Sequence, residues 1–208
     1  MAVSPSPTVF VVDDEAPVRR ALSRLLRANR FAVATFESPQ EFLGQYDPDA
    51  PGCLVLDIMM RSDGLELQRT LQKRGSTLPI IFLTGHGDVE KSVRALKGGA
   101  IDFLTKPVND SSLLAAVRAA IEKNRVTRQE LSGVAEAWSR LTALTLRERE
   151  VLQQIVNGKL NKQIAADLGI TERTVKAHRA SVMEKMKADS VAKLVGLAGR
   201  CGITPTSS

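Results

Sequence analysis

At four points in the sequence, polar groups that can do chemistry directly follow apolar runs of strand length. Asp13 and Asp14 follow Thr8–Val12, Asp57 follows 53–56, Thr84 follows 79–83, and Lys106 with Pro107 follows 102–105. In an open parallel α/β sheet, chemistry gathers at the carboxyl ends of the strands. Three carboxylates, one hydroxyl and one ammonium are therefore expected to meet at one edge. Three carboxylates held together are costly unless a cation sits among them. Hard divalent ions take oxygen ligands, and Mg²⁺ keeps several waters, which suits an open acidic corner. A lysine and a threonine beside that corner suit a phosphoryl group carried on one carboxylate.

The segments between these points supply the elements that must position them. Strands are expected at 8–12, 32–36, 53–57, 79–83 and 102–105. A helix over 17–29 has Pro17 in its first turn and Val18, Ala21, Leu22, Leu25 and Leu26 on one face. Ser38-Pro39-Gln40-Glu41 reads as a capping box. Further helices are expected over 65–73 and 88–97, the second ended by Gly98-Gly99, and another starts near Asp110. Five strands alternating with helices predict an α/β doubly wound, five-stranded parallel sheet covered on both faces.

The helix from Asp110 has no clear stop. Leu113, Leu114, Val117 and Ile121 recur at helical spacing, and 129–138 stays helix-compatible apart from Gly133. Residues 126–140 read as a helical linker, with Leu131, Val134 and Trp138 as an apolar stripe, packed on a domain or used between chains. Trp138 is expected to anchor that linker to a domain. Residues 141–203 form an all-α second domain of four helices. Thr145-Leu146-Arg147-Glu148 is a second capping box, Gly169 closes a helix over 159–168, Thr171 caps the next, and a last one runs from about Ser190. The tail from Gly202 is expected to fray.

Composition limits the functional classes. At 43% hydrophobic and 25% charged residues the chain reads as a soluble globular protein. Its longest apolar runs, about six residues, are too short for a membrane span. The opening residues lack the basic stretch and apolar core of a secretory signal. Cys53 and Cys201 form no disulfide framework, so a reducing cytoplasm is expected. Residues 1–127 hold 16 Lys/Arg against 15 Asp/Glu, and residues 128–208 hold 13 against 8. The basic surplus thus sits in the smaller half, where a nucleic-acid partner is sought first.

The four strand-end groups, in that order, resemble the receiver domain of bacterial two-component response regulators over roughly residues 7–125. The resemblance implies that Asp57 is phosphorylated by a sensor histidine kinase. It implies that Asp13, Asp14, Asp57 and the backbone carbonyl of Met59 hold Mg²⁺, and that Lys106 pairs with the phosphoryl group. Thr84 is then the switch hydroxyl, Phe103 its coupled aromatic, and Pro107 follows a cis bond. Phe103 would reshape a face made by the 88–97 helix and the last strand, the family's usual dimerisation surface. Met59 and His86 lie two residues past Asp57 and Thr84, positions expected to affect phosphoryl lifetime. The run Asp57-Ile58-Met59-Met60-Arg61-Ser62-Asp63-Gly64 departs from the family pattern. Its Gly comes one residue early and Arg61 stands where relatives have Pro, yet no charged participant is lost.

The stretch from Asn161 to Arg179 has the pattern of a helix-turn-helix, with Ala165, Ile170 and Val175 as packing positions and Gly169 at the turn. Together with Leu144–Leu152 it resembles the LuxR-type effector domain over about 141–203, which places the chain near the FixJ and NarL group. The second helix of the motif is expected in the major groove of double-stranded DNA. Lys176 and Ala180 are the candidates for base edges, and Ala177 could touch a thymine methyl. Lys162, Thr171, Arg173, Thr174 and Arg179 are assigned to phosphates. Glu172 could accept from cytosine or favour the helix N-terminus.

These features predict a phosphorylation-controlled transcription factor that dimerises on an operator of two half-sites, with no membrane partner. Its catalysis would be confined to phosphorylation and dephosphorylation of its own Asp57. A phosphohydrolase would need an acid two residues past its nucleophile, where this chain has Met59. The shortened loop leaves open a third reading, a receiver that binds DNA constitutively.

Overall fold

The computed structural model describes residues 6–60, 64–85 and 98–206. Arg61, His86 and the helix expected over 88–97 lie outside the described residues. Two compact units divide at Arg128 and Gln129.

The first unit is built on five parallel strands: β1 Thr8–Val12, β2 Ala32–Phe36, β3 Gly52–Asp57, β4 Ile80–Thr84 and β5 Asp102–Thr105. Their order across the sheet is β2-β1-β3-β4-β5, so β2 and β5 form the edges. Alternate residues of the central strands face opposite sides, as the period of two requires. Phe10, Leu54, Leu56, Ile80 and Phe82 pack under α2 (Pro39–Gln45) and α3 (Gly64–Lys73), through Phe42, Leu65, Leu67 and Leu71. Val9, Val11, Val55, Ile81 and Leu83 face α1 (Ala16–Ala28) and the first turns of α4 (Asp110–Thr142), through Leu22, Leu26, Leu113 and Val117. The central strands β1, β3 and β4 are buried on both faces and therefore read as continuous apolar runs.

Two buried amide side chains fasten this unit. Asn124, 2% exposed, accepts from the Gly52 amide at 3.1 Å and donates to the Thr77 carbonyl at 3.2 Å, joining α4 to the β3 and β4 entries. Gln68, 3% exposed, donates to the Gly98 carbonyl at 2.6 Å, and Gln72 donates to the same oxygen.

In the second unit, α5 (Leu146–Val156), α6 (Asn161–Leu168), α7 (Glu172–Lys185) and α8 (Val191–Arg200) enclose a core of Val151, Leu152, Ile155, Ile164, Val175, Val182 and Leu194. Ala137 and Leu141, from the end of α4, belong to the same core.

Three local expectations need correction. The hydroxyl of Ser38 accepts from the Glu41 amide at 3.1 Å, but Glu41 reaches back to the Glu37 amide rather than to Ser38, so that capping box is only half made. Trp138 does not anchor its segment. It is 48% exposed, because the α4 face that enters the helical core presents Ala137 and Leu141. Nor is the tail frayed throughout. Asn157 accepts from the Thr206 amide and donates to its hydroxyl, both at 3.0 Å, and Gln153 donates to the Thr204 carbonyl at 3.0 Å.

Candidate functional site: an acidic corner and a helix-turn-helix

Asp13 lies one residue beyond β1, Asp57 ends β3, Thr84 ends β4 and Lys106 lies one residue beyond β5. Parallel register aligns these ends. Asp57 pairs with Leu83 across β3 and β4, and Thr84 with Thr105 across β4 and β5. The carboxylates of Asp13, Asp14 and Asp57 each offer an oxygen within 4.8 Å of the others. Asp13 is fully buried and Asp57 is 3% exposed, while Asp14 lies toward the outside.

Lys106 crosses this corner. Its Nζ donates to Asp57 Oδ2 at 2.8 Å and to Asp13 Oδ2 at 2.9 Å, and stands 3.7 Å from Glu15 Oε1. Burial alone would pull its pKa down, but the hydrogen bonds and charges of Asp57 and Asp13 outweigh that and raise it. The lysine is therefore a permanent cation at neutral pH. The bond between Lys106 and Pro107 is cis. The other oxygen of Asp57, Oδ1, accepts from the Met59 amide at 3.0 Å, which fixes the carboxylate's rotation. Thr84, 1% exposed, donates its hydroxyl to the Gly85 carbonyl at 3.1 Å. Phe103 is half-buried against the α2–α3 side of the core, beside Phe82 in register.

An all-oxygen donor set with three acidic carboxylates fits a hard divalent cation. The cluster can coordinate such an ion, with the Lys106 ammonium on the flank of Asp13 and Asp57.

Gly64 is a supporting residue that sequence reading registered only as displaced. It opens α3 against the active strand, and a Cβ there would lie 2.6 Å from the Asp57 carbonyl oxygen. Backbone cannot yield as a side-chain tip can. Gly64→Ala is expected to cost about 1–3 kcal/mol, as overpacking does, and to weaken phosphoryl-mimic binding by moving Asp57. Urea unfolding and beryllofluoride titration check the two effects.

In the second unit, Gly169 adopts φ 65°, the left-handed conformation that lets α6 turn sharply into α7. Val175 is fully buried and Ala165 nearly so, with Ile170 packed against the same core. Thr171 caps α7, accepting from the Thr174 amide at 3.2 Å, and the two hydroxyls lie 2.9 Å apart. Arg173, Lys176, Ala177 and Ala180 are exposed along α7, as is Lys162 on α6, whereas Thr174 and Arg179 are half-buried.

Glu148 sets the angle of this surface. It completes the α5 capping box with Thr145, as expected, and it also holds α7. Its carboxylate accepts from Ser181 at 2.6 Å and from Lys185 at 2.7 and 2.8 Å. Lys185 first, then Ser181 and the Thr145 amide, lower its pKa to about 2 against an ordinary 4.5. The folded value lies below the unfolded one, so this contribution is complete above pH 4.5 and is lost as pH falls toward 2. Glu148→Gln is expected to cost about 2 kcal/mol near neutrality, less than the roughly 3–5 of a fully buried broken pair, because Lys185 keeps access to water. It should also flatten the acid limb of a Tm-versus-pH profile followed by circular dichroism.

A sheet with this strand order, an acidic corner crossed by a lysine, and a separate helix-turn-helix unit together define a signalling receiver joined to a DNA-reading module. Residues 9–118 match the response regulator receiver domain, and residues 142–198 match the bacterial regulatory proteins of the luxR family. Nodulation protein W of Bradyrhizobium diazoefficiens is 44% identical over 94% of this chain and 87% of its own. The transcriptional regulatory protein FixJ of Azorhizobium caulinodans is 43% identical over 95% of this chain and 94% of its own. Among solved structures, the response regulator StyR superposes with a TM-score of 0.87 at 44% identity, covering 94% of this chain and all of that one. The chain belongs to the FixJ/NarL/LuxR family of two-component response regulators. Its receiver carries the aspartate cluster typical of a phosphorylation site and is fused to a transcriptional regulator domain of the LuxR/FixJ type. Family membership implies interaction with a cognate histidine kinase and with DNA. Among the described residues, no helix is long and apolar enough to cross a membrane.

Proposed function

We propose that Asp57 is the phosphorylated residue of a receiver spanning 7–125, that 126–140 is the linker, and that 141–203 reads DNA. The observation that carries this is the position of Asp57. It is buried at a strand end, its rotation is fixed by the Met59 amide, and its second oxygen is held by the Lys106 ammonium that also binds Asp13. A carboxylate so fixed is poised for attack on phosphorus. A P–O bond to Asp57 forms as the kinase's P–N bond breaks, and the imidazole leaves. Mg²⁺, held by Asp13, Asp14, Asp57 and the Met59 carbonyl, would supply charge neutralisation for the phosphoryl oxygens. Lys106 then moves from carboxylate to phosphoryl oxygen. Thr84 gives up the Gly85 carbonyl for the same group, and Phe103 follows inward. Two receivers pair, and two DNA modules act together on an operator of two half-sites, gaining avidity from linkage alone. In each module Lys176, Ala177 and Ala180 face the bases, while Lys162, Thr171, Arg173, Thr174 and Arg179 hold phosphates.

Light scattering of the full chain with Mg²⁺, with and without beryllofluoride, tests the reading. The expected result is a monomer that becomes a dimer, with a parallel gain in operator affinity. Bound mimic without dimerisation would overturn the pairing step. Equal DNA affinity in both states would turn the reading toward constitutive binding.

A further inference from the structure

We infer that the groove between α1 and β2 is a binding site for a small polyphosphate anion. Helix α1 carries Arg20, Arg24 and Arg27 at i, i+4 and i+7, which places them in one stripe, with Arg19 on its flank. With Ser23 and Thr35 they line a groove of about 480 Å³, within the roughly 300–1,000 Å³ typical of small-ligand sites.

The outer guanidiniums are fixed to backbone. Arg19 Nη1 donates to the Asp13 carbonyl at 2.6 Å, and Arg27 Nη2 donates to the Val33 carbonyl at 3.0 Å. Arg19 also stands 4.0 Å from Glu37. Between them, Arg20 and Arg24 are exposed, and no described carboxylate lies within 4.0 Å of either. Like charges at i, i+4 repel and destabilise an isolated helix. Among the described residues neither Arg20 nor Arg24 has an ion-pair partner, so an anion in the groove would relieve that repulsion.

The chemistry selects phosphate. Guanidinium forks match phosphate oxygens bidentately, and two forks already held in place lose little freedom on binding. From Arg20 to Arg27 the helix rises about 10 Å, longer than one phosphate and suited to a chain of two or three. Ser23 and Thr35 add hydroxyl donors. The short, concave outline favours a small anion over a duplex backbone, which presents a long, regular row of charges.

The test is isothermal titration calorimetry of inorganic tripolyphosphate into the full chain at physiological salt. One saturable site is expected. It should weaken about tenfold or more in Arg20→Ala/Arg24→Ala. It should persist in Arg69→Ala/Arg74→Ala, which removes equal charge from the α3 side of the same unit. No saturable binding, or equal weakening in both variants, would overturn the site. So would loss of binding in Arg173→Ala/Lys176→Ala, which would assign the anion to α7. If Arg20→Ala/Arg24→Ala instead weakens DNA binding and leaves tripolyphosphate binding intact, the groove is a nucleic-acid contact and the inference fails.

Discussion

Asp57→Asn is expected to take up no phosphoryl group from a small phosphodonor, whereas the wild-type chain gains one. Intact-mass spectrometry reads the difference directly. The amide that replaces the carboxylate is a poor nucleophile toward phosphorus and cannot form the acyl phosphate. The fold should hardly notice. Asn keeps the shape of Asp at the end of β3, its carbonyl can still accept from Met59, and Lys106 retains Asp13 as a charged partner. A stability change within about 1 kcal/mol is therefore expected, and beryllofluoride should no longer alter the mass in solution. If the variant still gained a phosphoryl group, the acceptor would be another carboxylate of the corner, and the assignment of Asp57 would fall.

Lys106→Met is expected to have the opposite character, a large effect on stability that appears before any chemistry. Asp13 and Asp57 are both buried, and the Lys106 ammonium bonds to both. Met fills similar volume but brings no charge, so two buried carboxylates are left facing each other with Asp14 beside them. Removing one partner from a buried pair costs about 3–5 kcal/mol. Lys106 is 21% exposed, so the lower end applies. The loss should be largest in metal-free buffer and should shrink as Mg²⁺ is added, since the ion replaces the missing charge. In the wild type the same addition should move Tm much less. Thermal unfolding with and without Mg²⁺ measures this. Equal Tm for variant and wild type in chelator would show that the lysine does not hold the corner together.

The acidic corner was legible in the sequence because each group ends an apolar run, and parallel register must bring such ends together. Asp13, Asp57 and Lys106 needed only their place along the chain. Strand limits followed for the same reason: β1, β2 and β5 have the bounds their apolar runs suggested, and β3 and β4 differ by one residue. What remained hidden depends on partners far away in sequence. Glu148 could be read as the cap of α5 from its spacing to Thr145, but its bond to Lys185 spans 37 residues. Asn124 looks like any surface polar residue of a helix until β3 and β4 are packed beneath it. Thr206 appeared frayed because its partner Asn157 lies 49 residues back. The arginine groove required β2 to lie beside α1, which no local pattern states.

The contact between Gln68 and Gly98 gives sequence change at this place a direction. The amide of Gln68 is buried and donates to the Gly98 carbonyl, and a methyl group on residue 98 would sit 2.7 Å from Gln68 Oε1. A lineage that exchanged the glycine first would push the Gln68 amide aside and break its bond to the Gly98 carbonyl. Another could shorten residue 68 first, giving up one hydrogen bond, and only then enlarge residue 98. Either replacement alone should look deleterious, and the pair in the right order should be tolerated. Relatives are therefore expected to keep both residues or to have changed both, and chains caught between should carry the shortened side chain at 68 opposite the ancestral glycine.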